Sequence, residues 1–243
     1  MGNKKKVALV VGAGDGIGMA LMRRFSHEGL IVCGARRNGT KLDPLLNELN
    51  SKEVIAHGFS CDARKEDAVT ELFSHIEKKI GAIEVLVFNV GGNVPLRLLE
   101  TDSRKFYKIW EMACYAGFLS GREAARYMTQ RRRGTILFSG ATASIRGGAG
   151  FAAFASAKHG LRALAQSMAR ELGPQNIHVA HVVIDGAVDT PWIRENHPDY
   201  EMRNMNQGII KPKDLAENYV ALYNQPKTTW TFELDIRPWD EKF

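Results

Sequence analysis

Seven short apolar runs rich in β-formers punctuate the chain: KVALVVG (6–12), LIVCGA (30–35), VIAHGFS (54–60), IEVLVFNV (83–90), TILFSG (135–140), IHVAHVVID (177–185) and WTFELDI (230–236). Most are nearly continuous rather than alternating, which is the pattern of strands covered on both faces. Helix-like segments lie between most of them, and strands that alternate with amphipathic helices predict a parallel sheet inside a doubly wound α/β domain. Seven strands in one layer is the expected count. The clearest helix runs from about Phe151 to Leu172, where Leu161, Leu164, Ala165, Met168, Ala169 and Leu172 recur at three- and four-residue spacing and Gly173-Pro174 supplies the stop. The polar interval of about 191–213 is long for a connection and is read as a lid or substrate loop.

Composition adds little to this picture but excludes several classes. A chain of 243 residues, 44% hydrophobic and 25% charged, is expected to form one globular domain over 1–243. The net charge of +6 raises nucleic acid as a partner, yet the basic residues are scattered apart from Lys4-Lys5-Lys6 and Arg131-Arg132-Arg133, and no recognition motif accompanies them. Solvated surface charge or attraction to an anionic small molecule is the expectation. Cys33, Cys61 and Cys114 are odd in number and widely spaced, as for reduced thiols in a cytoplasmic protein rather than a disulfide framework or a metal site. No apolar run approaches the ~18 residues of a membrane span, and no secretory signal is read at the N-terminus. Met1-Gly2 opens like an acylated terminus, but Lys6 stands where that motif requires Ser or Thr.

The candidate chemistry begins at VGAGDGIG, residues 11–18, between the first strand and the first helix. Gly12, Gly16 and Gly18 permit a tight turn and close approach of the backbone, and the N-terminus of the helix that carries Ile17, Ala20, Leu21 and Phe25 offers free N–H groups and partial positive charge to a pyrophosphate. In this context the turn points to a dinucleotide. At the end of the second strand an acid would accept hydrogen bonds from a ribose 2′-OH; the chain instead reads Gly34-Ala35-Arg36-Arg37. Two guanidiniums suit a 2′-phosphate by charge and geometry, so NADP(H) is expected in preference to NAD(H).

At these residues the chain resembles the short-chain dehydrogenase/reductase superfamily over almost all of its length. The family's TGxxxGxG is similar to Val11-Gly12 through Gly18; its adenine-contacting acid to Asp62, followed by Ala63; its NNAG to Phe88-Asn89-Val90-Gly91; its PGxxxT to Asp185-Gly186-Ala187-Val188-Asp189-Thr190. The resemblance implies a Rossmann-type sheet of order 3-2-1-4-5-6-7 and a nicotinamide cofactor held by Gly12, Gly16, Ile17, Gly18, Arg36, Arg37, Asp62, Ala63, Asn89, Gly91, Lys158, Gly186, Val188 and Thr190. It also implies a homodimer or homotetramer packed through the fourth and fifth helices.

The family's Asn–Ser–Tyr–Lys tetrad is where the chain departs. FASAK keeps Lys158 but puts Phe154 at the tyrosine, gapless overlay of GTILFSGA puts Ala141 at the serine, and the asparagine position reads Cys114. Ser139, Thr142 and Ser144 are the nearby hydroxyls. Phenylalanine has no proton to give, so carbonyl reduction by the usual route is disfavoured. The chain is also similar to 2,4-dienoyl-CoA reductases at Gly91-Gly92-Asn93 and Glu171 through Ile177, members that lack the tyrosine and add hydride to a conjugated C=C. Two readings follow: an NADP(H)-dependent oxidoreductase of altered mechanism, in which Lys158 holds the ribose and water, Ser139, Thr142 or Ser144 relays protons; or a nucleotide-binding pseudoenzyme with a regulatory or scaffolding role. Phe151, Phe154, Trp192 and Ile193 suit an apolar or aromatic small-molecule substrate, with an acyl-CoA as the alternative.

Overall fold

The computed structural model describes residues 5–242, so Met1, Gly2 and Lys4 of the N-terminal expectations lie outside the described residues. Seven parallel strands form one sheet of order β3-β2-β1-β4-β5-β6-β7, as expected. They are β1 (Lys6–Val11), β2 (Ile31–Arg36), β3 (Ala56–Ser60), β4 (Ala82–Phe88), β5 (Gly134–Ser139), β6 (Ile177–Ile184) and β7 (Glu233–Ile236). β1 lies at the centre of the first half, with Val11 beside Ala35 on β2 and Phe88 on β4.

The lack of alternation in the strands has a direct structural counterpart. Val7, Leu9 and Val11 face one core with Leu86, Phe88 and Phe138, whereas Ala8 and Val10 face the other with Val85, Val87 and Leu137. The first core is covered by α3 (Glu66–Lys79), α5 (Ala116–Arg131) and α6 (Ala152–Leu172), and the second by α1 (Ile17–Ser26), α2 (Asp43–Asn50) and α9 (Pro212–Tyr223). Every position of β4, β5 and β6 therefore buries its side chain, while β3 and β7 at the sheet edges are only partly covered, and the sheet stays one layer between two helical ones. α4 (Ser103–Trp110) precedes α5, and the turn between them, Glu111–Tyr115, is π-helical.

Several boundaries differ from the sequence pattern, each for a local reason. β3 begins at Ala56 rather than Val54 because the Val54 amide donates to Leu49 O and finishes α2. β7 begins at Glu233 rather than Trp230, since the Thr231 amide donates to the Gln225 side chain instead of a strand. The interval 191–213 contains α7 (Pro191–Asn196), α8 (Tyr200–Met205) and the start of α9. Arg203 of α8 pairs with Asp240 and Glu241, and Trp239 Nε1 donates to Asn206 O, so the final residues described tie this segment down.

The basic triplet after α5 is partly consumed within the fold. Arg131 pairs with Glu77 at 2.9 Å and Arg133 with Glu84 at 2.8 Å, both carboxylates being buried. Among the described residues no helix is long and apolar enough to cross a membrane.

Candidate functional site

The carboxyl ends of the central strands open onto two adjoining cavities, of about 660 and 780 Å³, whose linings share Gly14, Asn89, Val90 and Gly91. A crevice outside the strand ends, where the strand order reverses between β1 and β4, is where open α/β sheets bind ligands.

The glycine turn forms the floor. Gly12 has φ of +90°, and a Cβ there would stand 2.7 Å from the Asn89 carbonyl carbon and oxygen; Asn89 Nδ2 in turn donates to Gly12 O at 3.1 Å. A Cβ on Gly18 would lie 2.5 Å from Ala13 Cα, so glycine lets α1 settle directly on the turn. No side chain caps α1 at Gly16. The Met19 amide donates to Gly14 O at 2.9 Å, and the amides ahead of it, at Ile17 and Gly18, lie in the wall that these residues form with Gly14 and Gly16. The residue above is Thr190, whose Cγ2 lies 2.7 Å from where a Cβ on Gly16 would be, while its Oγ1 accepts from the Ile193 amide and caps α7.

The smaller cavity gathers Arg36, Arg37, Asp62 and Ala63 beside the turn. Arg36 Nη1 donates to Asp15 Oδ1 at 2.6 Å, and Arg37 is exposed. Three further lining residues, Asn38, Lys41 and Arg64, were not singled out from the sequence, where isolated polar residues of this kind carry no signal. Arg64 grips Asp62 with Nε to Oδ1 at 2.9 Å and Nη2 to Oδ2 at 2.6 Å, and this pairing holds the Asp62 carboxyl below its ordinary range.

The larger cavity collects Lys158, Phe154, Phe151, Ala141, Thr142, Gly186, Val188, Thr190, Trp192 and Ile193. Lys158 is 3% exposed, and its Nζ donates to Ser139 O at 2.8 Å and to Val90 O at 3.4 Å. Burial pushes its ammonium down to about 8. An ammonium has three protons, so the two carbonyls leave one donor for a ligand. Val188 bridges to Ile210, and Gly186 passes so close to Pro238 that a Cβ would sit 2.6 Å from its Cδ.

The three residues that the sequence resemblance sets at tetrad positions, Phe154, Ala141 and Cys114, lie in this region. Phe154 is buried in a small cluster with Ile109, Ala143, Ala153 and Ala155, against which Ala141 packs. Cys114 is buried in the π-helical turn beside Ala157, its Sγ 2.9 Å from the Cβ position of Gly160. Burial raises its thiol, with the nearby Lys158 charge opposing. Cys114 and Ser144 line neither cavity. The candidate hydroxyls differ in their partners: Ser139 Oγ pairs with Tyr219 Oη at 2.6 Å, Ser144 Oγ accepts from the Ala141 amide at 3.1 Å, and Thr142 Oγ1 donates to Asp185 Oδ1 at 2.5 Å.

Sheet order, glycine turn and crevice together define a Rossmann-type α/β domain. The chain belongs to the short chain dehydrogenase family, whose model matches residues 6–201. It is 30% identical over 228 residues to zerumbone synthase of Zingiber zerumbet, covering 89% of this chain and 85% of that protein. Among solved structures it is similar to a short-chain dehydrogenase from Rhodopseudomonas palustris, with 49% identity, coverage of 96% of this chain and 99% of that one, and a TM-score of 0.83. A variant of actinorhodin polyketide ketoreductase solved with NADPH is 26% identical, covers 96% of each chain and has a TM-score of 0.87.

Proposed function

We propose that the chain is an NADP(H)-dependent oxidoreductase with altered proton chemistry, acting on a carbonyl or activated carbon–carbon double bond of an apolar or aromatic small molecule. The observation that carries this reading is the continuity of the crevice: guanidiniums of Arg36, Arg37 and Arg64 at one end, the glycine turn in the middle and the Lys158 ammonium at the other. The donor set fits the cofactor, since the uncapped α1 terminus suits a pyrophosphate and the arginine cluster suits a 2′-phosphate. The bound nicotinamide would supply hydride chemistry. Lys158 would hold a ribose hydroxyl with its remaining proton, and Phe151, Phe154 and Trp192 would exclude water from the substrate. The relative solved with NADPH supports the choice of nucleotide.

Phe154, Ala141 and Cys114 at the tetrad positions favour one second reading, a nucleotide-binding protein without turnover. Fluorescence titration with NADPH and NADH, followed by NADPH oxidation against quinones, dicarbonyls and enoyl-CoA thioesters, separates them. The expected result is tighter NADPH binding and turnover on at least one class, lost in Lys158→Ala. A preference for NADH overturns the cofactor assignment, and tight NADPH binding without turnover on any class favours the second reading.

A further inference from the structure

Asp185 ends up directly after β6, where it is 1% exposed. Its position matches the proline of the family's PGxxxT, so its carboxylate is an addition that the resemblance assigns no role. Oδ1 accepts from Thr142 Oγ1 at 2.5 Å and from Arg146 Nη2 at 3.2 Å, and Oδ2 lies 3.3 Å from Arg237 Nη1. The two guanidiniums compensate a carboxylate that no water-exposed face solvates.

This arrangement fixes where a proton sits. An ionised carboxylate is acceptor-only, so in its contact with Asp185 the Thr142 hydroxyl must be the donor. That commits the only proton on the Thr142 side-chain oxygen, which retains nothing but lone pairs. Thr142 lines the 780 Å³ cavity together with Lys158 and Phe154, whereas Asp185 does not reach the lining. The Ser139 hydroxyl in the same wall is engaged with buried Tyr219, and Ala141 has none. A group that donates, such as an alcohol O–H, can complete Thr142; a ketone oxygen there sets lone pairs against lone pairs and receives no hydrogen bond from it.

We propose that Thr142 is a specificity-determining residue, held as a hydrogen-bond acceptor by the positioning residue Asp185, and that the resting site selects a hydroxyl-bearing substrate over the matching ketone. The inference rests on the oxidoreductase reading and names the reduced, hydroxyl-bearing partner of a carbonyl couple as the form that the resting site holds, but its test does not require turnover. The full chain, saturated with 2′-phospho-ADP-ribose so that no hydride can move, is titrated with tetralol and with tetralone by saturation-transfer NMR. The alcohol is expected to bind on the order of tenfold more tightly, as for one satisfied against one unsatisfied hydrogen bond.

Thr142→Val keeps the shape, removes the acceptor and should erase the difference, while Thr142→Ser should restore it. Asp185→Asn can turn an N–H toward Thr142, free the hydroxyl proton and move the preference toward the ketone, a change that a purely structural role would not produce. A wild-type chain that fails to favour the alcohol, or a preference that persists in Thr142→Val, overturns the proposal. A chain that shows the preference but never oxidises NADPH would sink the oxidoreductase reading and leave this recognition standing.

Discussion

The ammonium of Lys158 stands 5.9 Å from the centroid of the Phe154 ring, one turn earlier on α6. A cation over an aromatic face is a modest attraction, but the same geometry would set a phenol hydroxyl close to a positive charge. Phe154→Tyr should therefore gain carbonyl reduction, by at least about 10²-fold over the wild type, as befits a restored proton donor. NADPH consumption with a dicarbonyl measures it. Unchanged rates alongside unchanged NADPH affinity would assign the deficit to Ala141 and Cys114 as well.

Buried Lys158 also gives stability a defined pH dependence. Its ammonium loses its proton at about 8 in the folded chain, against an ordinary value of 10.5. Between those values the unfolded chain retains a proton that the folded chain has released, so stability rises with pH through this window. Urea unfolding of the wild type and Lys158→Met should differ most below pH 8, in favour of the variant by a few kcal/mol, and converge toward pH 10.5. A difference that stays flat over the window would contradict the assignment.

Arg36 Nη1 is already held by Asp15, so part of the guanidinium's capacity for a 2′-phosphate is spent in the free chain. Arg37→Ala is expected to weaken NADPH about 10- to 100-fold with no change for NADH, the scale of a charged hydrogen bond. Asp15→Asn should do the reverse and tighten NADPH by releasing Arg36. Titrations of both cofactors at two salt concentrations check both effects, because phosphate recognition by exposed arginines weakens as salt rises.

Gly12 and Gly14 offer a paired test of the turn. Gly12→Ala places a Cβ 2.7 Å from the Asn89 carbonyl at a φ of +90° and should cost about 2–5 kcal/mol. Gly14→Ala meets nothing within 4 Å and should leave thermal unfolding unchanged. It nevertheless adds a methyl to the wall shared by both cavities, so NADPH affinity should fall in a fully folded variant.

How much of this was legible in the sequence depends on the range over which each feature is determined. Val7 through Val11 read as a strand buried on both faces because each residue records its own burial, and the two cores confirm that pattern residue by residue. The glycine turn was legible for a similar reason, since Gly12 and Gly18 answer to contacts within a short stretch of chain and the next strand end. The π-helical turn that carries Cys114 left no trace, as its residues are ordinary helix formers and the extra residue per turn is decided by packing on α6. Asp62 and Arg64 stand two apart, yet nothing in their identities announced that one would grip the other. Thr142 and Asp185, 43 positions apart, meet only because β5 and β6 are neighbours in the sheet. Spacing cannot reveal such a pair until the topology has been drawn.

Thr190 joins two walls of the larger cavity: its methyl rests over Gly16 and its hydroxyl starts the helix that bears Trp192 and Ile193. A displacement of that methyl therefore shifts the start of α7 with it, so the width of the glycine turn and the position of Trp192 are tied through one side chain.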